Sequence, residues 1–290
     1  MKIKYKLLAP VSHIGETAST GSYFQTILTA YGKIPVITGN SIRGQIRDSM
    51  AIDLLQHIGC KVEKEIFHVL FSGGNINASM KDDVEKAKKV REHFPGISLL
   101  GAGLGDMILA GKLVSGFAYP VCEETEKIIG ESSSVSWHNL IDEIEFTRMD
   151  DSKSDKLASY IIDTTEEKTA KASTQMRFSV QYIAAGTEFV QDIRFLHGIT
   201  ELELGAFYAS LEKWFECPRL GGMASKGFGL FDAEVGDDMR LTHGELSTSE
   251  HVENLITRYH SFVESEGTEW LSILSTGGAK KNGKKTDKAD

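Results

Sequence analysis

The first residues of the chain alternate between polar and apolar side chains, which is the period of a half-buried β-strand. The lysines of this segment share one face and its apolar residues share the other: Lys2, Lys4 and Lys6 against Ile3, Tyr5 and Leu7. Strands are also predicted over 112–122, 143–149, 177–184 and 230–235. The segment 188–195 is expected to return as the hairpin partner of the strand at 177–184.

Apolar residues three or four positions apart predict helices elsewhere in the chain. A helix is expected to begin at Asn40 or Ser41, with either residue as its N-cap and with an apolar stripe of Ile42, Ile46, Met50 and Leu54. Charged residues predict a second helix over 81–93, and an amphipathic pattern predicts a third over 202–215. Strands separated by two long helices, without regular βαβ spacing, indicate an α+β fold of the ferredoxin-like kind with large insertions.

Charge is distributed unevenly along the chain. The net charge of −9 over 290 residues argues against a uniformly basic nucleic-acid-binding surface. However, residues 1–61 carry seven Lys or Arg against three acids, whereas residues 232–269 carry ten acids against two Arg. An N-terminal surface can therefore still be basic. Because the sequence contains neither a long apolar run nor a signal-peptide pattern, we expect a cytoplasmic protein without membrane contact.

Motifs of common enzymes are absent from the sequence. The Gly-Lys segment at 105–113 lacks the spacing and the hydroxyl residue of a phosphate-binding loop. Arg43 stands where a nucleophile elbow needs glycine. The nine histidines form no metal-binding motif, and Cys60, Cys122 and Cys217 are widely spaced. We therefore expect no catalytic residue, no metal and no cofactor.

Three features instead favour phosphate binding. At the start of the first helix, Asn40 and Ser41 lie where N–H groups collect anions, and Arg43 and Arg47 lie one turn apart. Gly44 inside this first turn costs about 1 kcal/mol of helix propensity, which suggests that something approaches the backbone closely. An ordinary capped helix with a solvated arginine face is the alternative.

The second feature is a glycine-rich loop over 221–229. Its glycines free the backbone to present N–H groups, and one lysine supplies a cation; the candidate contacts are Gly221, Gly222, Ser225, Lys226 and Gly227. The third feature is the polar excursion 150–174, which contains Lys153 and is flanked by Arg148 and Arg177. It predicts an extension that grips a ligand or a neighbouring subunit. A flexible hairpin loop and a tolerated insertion are the respective alternatives.

The order of these segments resembles the RAMP superfamily of CRISPR effector proteins, in particular the backbone subunit that polymerises along guide RNA. The resemblance rests on 8–15, on the Gly-Asn-Ser-Ile-Arg-Gly element within 34–47, and on 111–113, 177–189 and 221–229. It implies a single domain over 1–276, a modified RRM palm carrying a finger (about 60–110) and a thumb (about 150–174), with a disordered basic tail at 277–290. Phe71-Ser-Gly-Gly74 and the segment 12–16 look most like the type IV version.

The resemblance also implies partners and a mechanism. Guide RNA would be bound with His13 among the contacts, target nucleic acid would be recognised by pairing, and copies of the chain would stack in a filament. The resemblance also implies other effector subunits and a helicase as partners. RNA-cleaving type III relatives carry an aspartate before the Gly-x-Ser element, but no carboxylate lies between Glu16 and Asp48 here. We therefore expect a binder and scaffold.

Two alternatives remain open. One is a type III-like subunit that also cleaves target RNA, in which Asp48 or an acid from 150–155 replaces the missing aspartate. The other is an acidic protein–protein scaffold that binds no nucleic acid.

Overall fold

The computed structural model describes residues 1–17, 21–76, 83–105, 107–148, 176–266 and 268–274. The thumb expected at 150–174, with Lys153, and the tail expected at 277–290 lie outside these residues. The strands are β1 Lys2–Leu7, β2 Ile14–Thr17, β3 Gly21–Phe24, β4 Thr26–Thr29, β5 Gly32–Pro35, β6 Gly74–Ile76, β7 Ala102–Gly105, β8 Ile108–Leu109, β9 Leu113–Pro120, β10 Ile141–Arg148, β11 Met176–Ile183, β12 Glu188–Phe195, β13 Phe231–Val235, β14 Met239–Thr242 and β15 Glu245–Thr248. The helices are α1 Gly39–Ile58, α2 Lys64–Ser72, α3 Val84–His93, α4 Pro95–Leu100, α5 Glu126–Ile129, α6 Glu201–Phe215 and α7 Glu250–Glu266.

The largest sheet confirms the predicted α+β, ferredoxin-like fold. Its strand order is β15-β14-β13-β1-β12-β9, and every neighbouring pair is antiparallel. Within it, β1-α1-β9-β12-α6-β13 forms the β-α-β-β-α-β unit of that fold. The apolar residues of β1 are fully buried, and α1, α6 and α7 pack against one another in the same core.

The predicted pairing of residues 188–195 is wrong. The segment is a strand, β12, but it lies between β1 and β9 in the large sheet. The strand at 177–184, β11, belongs to a second sheet of order β10-β11-β3-β2, where it pairs antiparallel with β10 and parallel with β3. Alternation of side chains fixes the faces of a strand and leaves its partner undetermined, so a short intervening turn was a misleading signal.

The expected finger region contains α2, α3, α4 and a small sheet, β6-β7-β8. Its glycine stretches pair with each other, since Gly74 lies opposite Gly103, and a Cβ at Gly74 would be 2.1 Å from the Gly103 carbonyl oxygen. Ile66, Val69 and Leu100 of this region are buried in the same cluster as α1. This expected finger region is therefore packed against α1.

A buried ion pair joins the large sheet to α6. Lys112 Nζ lies 2.7 Å from Glu203 Oε1, and the Glu203 side chain is 2% exposed. Burial opposes ionisation of Glu203, but hydrogen bonds from Lys112 and Ser98 outweigh it and lower the pKa of the carboxyl below its ordinary value. Among the described residues, no helix combines the length and the apolar character needed to cross a membrane.

Candidate nucleic-acid interface

Segments far apart in the chain meet beside the first turn of α1. The Gly222 N–H donates to the Ser12 carbonyl at 2.7 Å, which ties the glycine-rich loop to the segment after β1. The next residue, His13, accepts at Nε2 a hydrogen bond of 3.2 Å from the Thr38 N–H. We call residues 12–13, 38–41 and 221–227 the glycine corner. It contains no Asp or Glu.

The start of α1 lies one to two residues before the predicted position. Thr38 is the N-cap and its hydroxyl accepts from the Ser41 N–H at 3.3 Å, so the prediction of Asn40 or Ser41 as the cap is wrong. Gly39, the first residue of the helix, packs tightly: a Cβ there would lie 2.1 Å from the Ser115 carbonyl oxygen. Asn40 is consequently freed from capping and is exposed at the corner, with Ser41 half-buried beside it.

His13 is held in its neutral form. Burial of the imidazole lowers its pKa, and no compensating acid contributes to this shift. The accepting Nε2 places the ring proton on Nδ1, and the Thr38 hydroxyl lies 3.2 Å from the same Nε2. His13 therefore orients the cap of α1 and adds no charge at neutral pH.

Two glycines of the loop are required by packing and one by its backbone. A Cβ at Gly221 would lie 2.2 Å from the Ser12 carbonyl oxygen, and one at Gly229 would lie 2.1 Å from that of Leu220. Gly227 has a φ of +87° but nothing within 4 Å of its Cβ position. Between them, Ala224–Lys226 form one 3-10 turn on which Ser225, Lys226 and Gly227 are exposed. Packing thus fixes the base of the loop and leaves its tip to solvent.

Lys226 joins the corner to the β10–β11 hairpin. Its ammonium lies 4.2 Å from the ring centroid of Phe178 and 4.6 Å from that of Phe146, and the two rings stack across the strands at 5.3 Å. Both phenylalanines are half-buried. A cation over aromatic rings beside exposed backbone suits a nucleic acid, whose phosphates and bases contact these two kinds of group.

The two arginines expected at the root of the thumb lie on this same hairpin. Arg148 pairs with Met176, whereas Arg177 pairs with Thr147 and is exposed. They therefore are not directly opposite each other. Phe146 and Phe178 were missed by the sequence reasoning. The sequence contained a signal for both phenylalanines, because each alternates with polar residues in a predicted strand.

The structure corrects the orientation expected for Arg43 and Arg47. Arg47 is only 9% exposed, and its Nη2 donates to the carbonyls of Leu100 at 3.1 Å and Gly101 at 2.8 Å. Arg43, which is half-buried, also donates to the Leu100 carbonyl. These carbonyls end α4, where the helix dipole is negative, so the pair holds the C-terminus of that helix.

The electrostatic state of this pair reflects its burial. Burial is the main cause that lowers the pKa of Arg47 to about 10, and the neighbouring charge of Arg43 lowers it further. Arg43 Nε and Arg47 Nη1 are buried without an acceptor among the described residues. Gly44, between them, has nothing within 4 Å of its Cβ position, so no described residue makes the close approach expected there.

The outer face of the large sheet has a different character. Each lysine of β1 lies beside acids on the neighbouring strands: Lys2 opposite Asp192, Lys4 opposite Glu234, and Lys6 opposite Glu188 and Asp232. Lys4 also pairs with Glu131 at 2.7 Å. We call this surface the open face. Its cations are already compensated by carboxylates, which disfavours phosphates.

Asp48, the alternative catalytic acid, is exposed on α1 about two turns beyond Ser41. Burial raises its pKa, although the Arg47 charge opposes that shift. It lies roughly 10 Å along the helix from the glycine corner, given a rise of ~1.5 Å per residue. The alternative acids at 150–155 lie outside the described residues.

Comparisons with known proteins place this arrangement in a family. A search of curated proteins finds no match. Among solved structures, the fold is similar to a chain of a structure titled "Type IV-B CRISPR Complex", with a TM-score of 0.60 and 17% sequence identity over 87% of this chain and 95% of that one. The family model of the RAMP superfamily matches residues 4–232. That range runs from within β1 to within β13 and contains all three parts of the glycine corner. The chain therefore belongs to the RAMP superfamily.

Proposed function

We propose that the protein is a non-catalytic backbone subunit of a CRISPR effector ribonucleoprotein, most like the type IV version. In this proposal it binds guide RNA along the sugar-phosphate backbone, presents it for target pairing and assembles with copies of itself and other effector subunits. Membership of the RAMP superfamily and the fold of the type IV-B neighbour support the class of complex. RNA binding by this chain rests on its own residues.

The observation that carries the proposal is the meeting of three phosphate-compatible segments at one acid-free corner. Asn40 supplies an exposed amide, the loop around Ser225 supplies exposed backbone, and Lys226 supplies the cation. These groups bind phosphate and ribose without reading bases. A subunit that accepts any guide sequence needs this kind of contact.

The charges of the open face disfavour RNA there and so support an RNA path at the glycine corner. An ordinary RRM stacks bases on aromatic residues of its sheet, but here β1 exposes lysines whose neighbours are acids. Moving an RNA phosphate onto that face would bring it against Glu188, Asp232 and Glu234. The corner offers a cation without this repulsion, so we place the RNA path there.

The absence of a carboxylate from the corner supports a non-catalytic role. RNA cleavage needs a group that activates the 2′-OH or holds a metal ion. His13 is the titratable imidazole of the corner, and its Nε2 is engaged by the Thr38 N–H. The corner is thus equipped to bind phosphates and lacks the groups that attack them.

Binding of labelled single-stranded RNAs of several sequences, measured by fluorescence anisotropy over a range of salt concentrations, tests the proposal. Lys226→Ala should weaken binding about equally for every sequence and flatten the salt slope by about one unit. Asn40→Ala should weaken binding without changing the slope, because it removes no charge. Lys6→Ala is the matched control, since it removes one lysine from the open face and should change neither quantity.

Each contrary result has a distinct meaning. A loss for Lys6→Ala without one for Lys226→Ala would move RNA to the open face. Wild-type protein that binds no RNA at low salt would favour the protein–protein scaffold. Periodic, metal-dependent cuts in a bound RNA would favour the type III-like subunit. Light scattering should show complexes whose copy number grows with RNA length, and a complex of one copy on every RNA would refute the assembly.

A further inference from the structure

A cluster of three metal-ligand side chains lies in the helical layer, away from the glycine corner. Asp53 and His57 are one turn apart on α1, and His260 comes from α7. One ligand atom from each residue lies within 4.8 Å of the other two. With a rise of ~1.5 Å per residue, the cluster is roughly 20 Å along α1 from Asn40. It therefore has no part in the proposed RNA contacts.

The geometry brings nitrogen and oxygen donors together. His260 Nε2 lies 3.1 Å from Asp53 Oδ1 and 3.2 Å from Oδ2, and His57 Nδ1 lies 3.5 Å from Oδ1. Ligand atoms around a tetrahedral zinc ion, each about 2.0–2.2 Å from the metal, are separated by roughly 3.3 Å. The observed separations are close to that value. His57 Nδ1 also lies 3.0 Å from the Asp53 backbone carbonyl oxygen, and it must give up that hydrogen bond to ligate an ion.

The charge of the cluster favours a cation. The Asp53 side chain is 8% exposed, and among the described residues its ion-pair partners are the two histidines. The imidazoles stack with centroids 3.7 Å apart and planes 16° apart, so their in-plane lone pairs run nearly parallel. The rings must turn out of this stack for both nitrogens to point at one ion.

A fourth group stands nearby on α6. Glu212 is half-buried, and burial is the main cause that raises its pKa; His260 opposes that shift and Asp53 adds to it. Its carboxyl is thus within electrostatic reach of the cluster. Two imidazoles and one aspartate, with water as the fourth ligand, are a donor set that suits zinc and neighbouring divalent transition metals.

We propose that Asp53, His57 and His260 form a structural site for a divalent transition-metal ion, with zinc as the physiological type. When the ion binds, His57 Nδ1 and His260 Nε2 present lone pairs to it, protons on these nitrogens pass to solvent or to the other nitrogen of the same ring, and each neutral ring carries one proton on its non-ligating nitrogen. Because the ligands come from α1 and α7, the ion fixes the C-terminal helix against the helix that begins at the glycine corner. Its effect is on stability, independent of RNA.

Titration of chelator-treated full-length protein with Zn²⁺ and with Co²⁺ tests the site. We expect one equivalent of each metal to bind and Co²⁺ to give the intense visible absorption of tetrahedral coordination. Zinc at 100 times its dissociation constant should raise the thermal midpoint by about 5 °C. His260→Gln and His57→Gln should weaken zinc binding by about 100-fold or more, since each removes a ligand.

His251→Gln is the matched control, because His251 is an exposed histidine of the same helix and should bind metal as the wild type does. Circular dichroism of each metal-free variant verifies folding. If both ligand variants unfold, wild-type crystals grown with zinc decide: an anomalous peak between α1 and α7 supports the site. No saturable binding, binding retained by His260→Gln, or a peak located elsewhere would overturn the proposal.

Discussion

Replacing Arg47 by methionine should lower stability and leave RNA binding by the folded protein unchanged. Methionine keeps an unbranched apolar stem in the core but removes the guanidinium that donates to Leu100 and Gly101. The Leu100 carbonyl keeps Arg43 as a donor, so the Gly101 carbonyl is the acceptor that loses its described side-chain partner. This distinguishes a structural role from the phosphate contact that the sequence predicted.

The expected magnitude follows from these contacts. A hydrogen bond to a charged group contributes about 1.5–3 kcal/mol. One bond is lost fully and a second is partly replaced, while removal of a buried charge beside Arg43 returns some free energy. We therefore expect the free energy of unfolding to fall by about 2 kcal/mol. For a chain of this size the thermal midpoint should then fall by about 5 °C.

The assay is a thermal melt followed by circular dichroism, combined with RNA anisotropy at a temperature where the variant is folded. Lys88→Met is the control, because that side chain is 67% exposed on α3 and its replacement should change the midpoint by no more than about 1 °C. If Arg47→Met melts like the wild type and flattens the salt slope of RNA binding, the guanidinium contacts RNA and our interpretation fails.

Three further substitutions test the packing directly. Gly44→Ala should raise the free energy of unfolding, measured by urea denaturation, by about 1 kcal/mol, because the added Cβ enters open space in a helix. A lower free energy of unfolding would contradict this. Weaker RNA binding by the variant would indicate that RNA approaches the backbone at residue 44. Lys112→Met should cost about 3–5 kcal/mol in the same assay, since it leaves the buried Glu203 carboxylate unpaired, and a loss below about 1 kcal/mol would refute that burial. Because the pKa of His13 is lower in the folded protein, neutral His13 contributes to the free energy of unfolding. That contribution should be fully present above the unfolded pKa of about 6.5 and should be lost as pH falls through the folded pKa. Melts at several pH values should show this dependence in the wild type and less of it in His13→Gln, and equal slopes would exclude His13.

Local patterns predicted much of the fold. The alternation in β1 and the amphipathic stripe of α6 depend on residues a few positions apart, and both elements lie where expected. The partner of β12 and the fate of Arg47 depend on distant segments. From the sequence, an arginine on a helix beside an apolar stripe is expected to be solvated. The carbonyl at the C-terminus of α4 that accepts from Arg47 comes from a distant segment, so local patterns cannot reveal the contact.

The candidate site divides in the same way. Residue types marked the start of α1 and the glycine-rich loop, and the family resemblance marked His13. The meeting of these segments depends on Ser12 and His13 lying between α1 and the loop. The metal cluster could be predicted only in part from the sequence. The spacing of Asp53 and His57 is readable in the sequence, but His260 follows 207 residues after Asp53 and is identified only by the packing of α7 on α1.

The contrast between the glycine corner and the open face has a consequence for assembly. The open face carries cations and carboxylates in alternation, so its field cancels within a few ångströms, while the net charge of −9 repels RNA from most of the surface. If RNA binds the glycine corner as proposed, a strand would meet every copy in the same orientation. Copies aligned in this way on a directional strand share a polarity, so a filament built on this contact would have two different ends.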